Sequence, residues 1–210
     1  MDISPFAVIL MALWLIVSGR TILHELIHSF AKASYGLRPA VEIPIGAALR
    51  RSGLHLVTRN MEFHATWLGL LLDGNGITRP WPYHSEQAPR AMDIVIPISA
   101  PVGMMIIGAS IAALAGLLHV HDEIIKQTVV AVGFGWALDG LVNAVPLGPG
   151  MIRTGGVPVA DAVRGNDGYA ALRSAWRLSI VLAFVPLVVL LGILGIAAMA
   201  VCVTVAIHTC

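Results

Sequence analysis

The sequence predicts an all-α, polytopic membrane protein, with about four transmembrane helices and a small membrane-associated β element between the first and the second. Three observations carry that expectation. Of 210 residues, 57% are hydrophobic and only 12% charged, with a mean hydropathy of +0.83, an apolar share above and a charged share below those of soluble domains. Four runs, about 4–34, 93–118, 128–147 and 178–207, are long and apolar enough to cross a bilayer, which takes about 20 residues. Between the first two runs the pattern turns to alternation, as in Val41-Glu42-Ile43-Pro44-Ile45 and Leu54-His55-Leu56-Val57-Thr58, the period of short strands.

The first run lacks the Lys/Arg-rich start and the small-residue cleavage site of a signal peptide, so it is expected to stay as a helix. Residues 36–92 carry six arginines, and within them Arg79-Pro80-Trp81-Pro82-Tyr83 breaks any helix and sets an aromatic pair at the interface. The connection 119–127 holds one lysine against Asp122 and Glu123, whereas 147–177 holds four arginines. By the positive-inside rule the two arginine-bearing stretches are cytoplasmic and both termini lie outside, as in a multi-pass protein of a prokaryotic inner membrane. The last run has no charge before His208 and exceeds one perpendicular span, which predicts tilting or a kink at Pro186. No repeat or second soluble domain is visible, so residues 1–210 read as one membrane-embedded domain. A net charge of +1 leaves no footprint for nucleic acid. Cys202 and Cys210 form neither a CxxC nor a disulfide framework.

The most informative motif is His24-Glu25-Leu26-Ile27-His28, near the end of the first apolar run. On a helix the two histidines project from one face a turn apart, the spacing that a single zinc ion needs. Glu25, beside the first ligand, is placed as general base toward an activated water. On a soluble helix such a pair is often only a surface or core pair. In hydrocarbon, desolvating His and Glu together costs several kcal/mol, so such groups line a cavity and carry function. One helix cannot offer the two histidines to opposite faces of a haem iron, which sets haem ligation aside. A catalytic zinc site takes three protein ligands and an open position, and Asp139, Asp161 and Asp167 are the candidates for the third. His55, His64, His84, His119 and His121 read as solvated or interfacial, Arg20 as snorkelling or paired with an acid, and Glu42 and Glu62 as solvated strand faces.

Three blocks give the chain a resemblance to the site-2 protease family of intramembrane zinc metalloproteases, peptidase family M50. They are His24-Glu25-Leu26-Ile27-His28, the stretch 91–108 with Ile98-Ser99-Ala100-Pro101, and Leu141-Val142-Asn143-Ala144-Val145-Pro146 followed by Asp167-Gly168. Together they span most of residues 4–177. The resemblance implies one Zn2+ held by His24, His28 and Asp167, catalysis by Glu25, and Asn143 beside the metal, positioning substrate or the developing oxyanion. It makes Asp139, in its own Leu-Asp-Gly, the runner-up and Asp161 a more remote choice. It further implies a transmembrane protein substrate in the lipid bilayer, unwound and added as a strand to a sheet edge within 41–63. The alternative is a non-catalytic membrane protein for metal binding, transport or scaffolding that keeps the protease fold. Glu25 separates the two readings, because a pure metal site has no use for a base next to its ligand.

Overall fold

A computed structural model describes residues 4–43, 53–59, 61–72, 77–80, 92–117, 123–148 and 166–209. The aromatic pair Trp81 and Tyr83, the histidines His84, His119 and His121, and Asp161 lie outside the described residues. Among the described residues four helices are long and apolar enough to cross a membrane: Pro5–Ser34, Met92–Leu117, Glu123–Ala144 and Phe184–His208. Much of their outward surface is apolar, with Phe6, Ile9, Leu13, Leu117, Leu190 and Ile196 exposed. Water would penalise so large an exposed apolar surface and lipid would not.

The first of these helices changes character halfway. The helix α1 (Pro5–Trp14) starts with proline at its first turn, where the missing N–H costs no hydrogen bond. A π turn, Leu15–Gly19, joins it to α2 (Arg20–Ser34). That wider turn lets the Leu15 carbonyl accept both the Arg20 N–H and, at 2.9 Å, the Trp136 indole N–H. It also rotates the next turns relative to α1. As a result α1 exposes apolar side chains, whereas α2 buries Thr21, Glu25, His28, Ser29 and Lys32, a polar stripe at helical spacing. Gly36 then ends α2 at φ 78, with the Leu37 N–H reaching back to the Lys32 carbonyl at 3.1 Å. This six-residue closure needs a left-handed residue, which glycine supplies without strain.

The β element is a four-stranded sheet in the order β2-β3-β1-β4, built from β1 (Pro39–Ile43), β2 (Gly53–Val57), β3 (Glu62–Thr66) and β4 (Ile77–Pro80). β1 runs parallel to β3, while β2 pairs with β3 and β4 with β1 in antiparallel fashion. Alternation in β1 and β3 puts Val41, Ile43, Phe63 and Ala65 on one face, packed with Ile22 of α2 and Leu70. The short helix α3 (Trp67–Leu72) follows, and its Leu70 carbonyl accepts the Trp14 indole N–H at 2.8 Å. β4 falls where proline predicts a break. As an edge strand it tolerates Pro80, which has no N–H to give to a neighbour.

The remaining helices are α4 (Met92–Leu117), α5 (Glu123–Ala144), α6 (Asp167–Arg177) and α7 (Val181–Thr209). α5 starts five residues before its apolar run, at Glu123, whose charge suits a helix N-terminus. α7 continues through Pro186. The pair α4 and α5 packs backbone to backbone. A Cβ on Gly108 would come within 2.5 Å of the Gly133 carbonyl and the Ala137 nitrogen, and one on Gly140 within 2.5 Å of the Pro101 carbonyl. Small residues are what allow helices this near approach where no hydrophobic driving force separates them from lipid. The crossing fixes Asp139, next to Gly140, within reach of α2.

Candidate metal centre

Three side chains from two helices meet at the polar stripe of α2. From that helix come His24 and His28, whose rings lie 4.9 Å apart, centre to centre, and nearly perpendicular at 78°. From the first residue of α6 comes Asp167. Its Oδ2 stands 2.8 Å from His24 Nε2 and 3.2 Å from His28 Nε2. One ligand atom from each residue lies within 4.8 Å of the others. On a tetrahedral zinc with bonds of about 2.0–2.2 Å, ligand atoms sit roughly 3.3–3.6 Å apart. The observed 2.8 and 3.2 Å lie below that spacing, so a bound ion would move the three ligand atoms slightly apart.

The protonation logic of the cluster points the same way. His28 Nδ1 lies 2.9 Å from the Ile96 carbonyl, which can only accept, so Nδ1 carries a proton and Nε2 is the ring nitrogen that faces Asp167. His24 Nδ1 faces Asp139 Oδ2 at 3.5 Å, an ion-pair distance. That oxygen is buried and makes no hydrogen bond among the described residues. Two imidazole nitrogens that face one carboxylate oxygen need positive charge among them, which ring protons or a bound cation can supply. Imidazoles held from behind by a carbonyl and a carboxylate are the usual outer support of a metal-bound histidine. The donor set of two imidazoles and one carboxylate, with Glu25 buried on the same stripe, therefore fits zinc. Burial pushes the Asp167 carboxyl upward, and the imidazoles of His28 and His24 more than offset it, holding Asp167 below the usual carboxylate range.

What brings Asp167 here is local and specific. The residue before it, Asn166, caps α6 and is buried. Its Oδ1 accepts from the Tyr169 and Leu147 N–H groups at 3.0 Å each, and its Nδ2 donates to the Val142 and Val145 carbonyls at 2.9 and 2.7 Å. One side chain thus fastens the start of α6 to the frayed end of α5 and satisfies backbone groups on both. Gly168, the residue after, lies so near that a Cβ would collide with the Ala144 carbonyl. Glycine in this Asp-Gly pair is a condition of contact. Gly168→Ala should push α6 outward and lower zinc affinity roughly 10- to 100-fold, the range seen when a ligand's support is lost. Competition titration against a chromophoric chelator measures it, and unchanged affinity would show that the close approach does not position Asp167.

Asp139 and Asn143 take places behind the cluster. Asp139 Oδ1 accepts from Arg20 at 2.9 Å, the acidic partner expected for that arginine. Asn143, one turn on, donates to the Asp139 carbonyl and Oδ1 at 3.1 Å each. Asp139 therefore faces His24 from the Nδ1 side, away from Asp167, and Asn143 contacts the cluster through Asp139. Sequence reasoning passed over Asn166 and Lys32. An asparagine directly before a helix that opens with Asp-Gly is an N-cap signal, and Lys32 follows Glu25 by seven residues, two turns along one face. Glu62, expected on a solvated strand face, is instead buried between His55 and His64.

Comparisons of this chain with protein-family models, with curated proteins and with solved structures find no match.

Proposed function

We propose that the chain is a multi-pass membrane zinc endopeptidase that hydrolyses peptide bonds of transmembrane or membrane-proximal proteins, in the manner of the site-2 proteases it resembles. The observation that carries this reading is the convergence of His24 Nε2 and His28 Nε2, from α2, with Asp167 Oδ2, from α6, beside a buried Glu25. Zinc bound by those three residues supplies Lewis-acid chemistry, lowering the pKa of water and polarising a carbonyl. Glu25 accepts the proton of the attacking water as its oxygen bonds to the scissile carbonyl carbon. It returns that proton to the amide nitrogen as the C–N bond breaks, so the same carboxylate ends as it began. Ile96 and Asp139 hold the imidazoles in the orientation the site needs, and Arg20 pairs with Asp139 Oδ1 at 2.9 Å.

Asn143 acts here as a positioning residue, through Asp139. Asn143→Ala should leave zinc stoichiometry intact and slow turnover about 10-fold or more, read from the rate of reporter cleavage at saturating zinc. Unchanged turnover would remove it from the site. The reading as a whole is tested by incubating the purified chain in lipid vesicles with single-span reporter proteins and locating the cut by mass spectrometry. Cleavage within or beside the span supports a protease. Zinc binding with no cut in any reporter favours the non-catalytic metal-binding alternative.

A further inference from the structure

A second cluster of metal-ligating side chains stands on the sheet, outside the centre described above. In the β2–β3 pair His55 lies directly opposite His64, and Glu62 is two residues before His64, on the same face. His55 Nε2 and His64 Nε2 both approach Glu62 Oε1, at 3.1 and 3.0 Å. The two rings stack at 3.9 Å, 23° from parallel. One ligand atom from each of the three residues lies within 4.8 Å of the others, as at the helix site.

The layout is unlike that of a solvated strand face. The imidazoles are 53% and 44% exposed and the Glu62 side chain only 11%, so the carboxylate sits under two rings that water can reach. Two stacked imidazolium ions would repel each other, whereas a cation shared by two neutral rings and a carboxylate removes the conflict. The Nε2–Oε1 separations of 3.1 and 3.0 Å are a few tenths of an ångström short of those between ligands on one tetrahedral ion, roughly 3.3 Å, which small side-chain rotations supply. The opposite face of this sheet carries Val41, Ile43, Phe63 and Ala65 against Ile22 of α2, which puts the cluster on the side away from the helix bearing His24 and His28.

We propose that His55, Glu62 and His64 form a second metal site, for a borderline divalent cation of the zinc class, that ties edge strand β2 to β3. Imidazole with carboxylate selects such ions over calcium or magnesium, which prefer oxygen ligands. The structural consequence follows from topology. Among the described residues β2 pairs with β3 alone and stands at the sheet edge. Because His55 comes from β2 and both other ligands from β3, a bound ion cross-links the pair at a fixed register. The inference is independent of whether the helix site catalyses anything.

The test uses the untagged full chain in detergent, stripped of metal, exposed to excess Zn2+ and passed through gel filtration before elemental analysis. Wild type should hold about two equivalents per chain, and both a His24→Ala/His28→Ala variant and a His55→Ala/His64→Ala variant about one. Glu62→Gln preserves side-chain volume and guards against a merely misfolded histidine variant. It should lose the same equivalent, with affinity down more than about 100-fold. In the His24→Ala/His28→Ala background, adding zinc should slow amide hydrogen exchange across residues 53–57, and Glu62→Gln should abolish that slowing. The proposal is overturned if the His24→Ala/His28→Ala variant binds no zinc while keeping its helical circular dichroism. It is equally overturned if Glu62→Gln holds as much zinc as wild type, or if zinc leaves exchange in 53–57 unchanged.

Discussion

Asp167→Ala should lower the affinity for zinc at the proposed helix site by at least about 100-fold, since even supporting residues around a metal account for 10- to 100-fold. The effect is large because of what remains. His24 and His28 lie on one helix and offer two neutral nitrogens, with no anionic ligand to offset the dication. Asp167 brings both the third donor and the negative charge, from a helix that reaches the site only because Asn166 and Gly168 hold it there. The measurement is zinc competition in a His55→Ala/His64→Ala background, so that only the helix site is counted. Asp139→Ala is the matching control. It removes the carboxylate behind His24 and should weaken binding while retaining about one equivalent at saturation. Full affinity in the Asp167 variant would mean that the ion, if one binds, is held by other groups.

Glu25→Gln should separate binding from chemistry. Amide and carboxylate have nearly the same shape, so His24 and His28 keep their places on α2 and zinc content should match wild type. The amide cannot accept a proton from water at neutral pH. General-base catalysis of this kind is worth about 10²- to 10⁴-fold, so reporter cleavage should fall by at least the lower figure. The assay compares initial rates at equal zinc occupancy. A variant that retains zinc and cleaves at the wild-type rate would strip Glu25 of the role of base and leave the site without a proton acceptor in its sequence motif.

Much of this fold is legible in the sequence because long apolar runs leave little choice of structure. Backbone groups in hydrocarbon must be paired internally, so 93–118 and 178–207 could scarcely be other than the helices α4 and α7. The ends were less visible. α5 begins at Glu123 because Ile124, Ile125, Lys126 and Gln127 suit a helix as well as a connection, and a hydropathy reading stops where lysine enters. The π turn at Leu15–Gly19 leaves no periodic trace over five apolar or small residues, yet it decides which face of α2 is buried.

The site divides in a similar way. His24, Glu25 and His28 could be paired from their spacing alone, because a helix fixes what lies four residues apart. Asp167 could not, since it is 139 residues beyond His28 and was separated from Asp139 and Asp161 only by a resemblance. The structure brings Asp167 against both histidines and leaves Asp139 behind one of them, while Asp161 is outside the described residues. The sheet cluster escaped for another reason. His55 and His64 each read as solvated, and only the strand register, which no local pattern states, puts them face to face over Glu62.

The most direct measurement is cleavage of a single-span reporter by the purified chain in vesicles, before and after a chelator removes its metal and after zinc alone is returned. Cleavage should stop on stripping, recover with added Zn2+, and stay absent throughout for Glu25→Gln. Cutting that continues in metal-free protein, or that Glu25→Gln performs at the wild-type rate, would contradict a zinc peptidase centred on His24, His28 and Asp167.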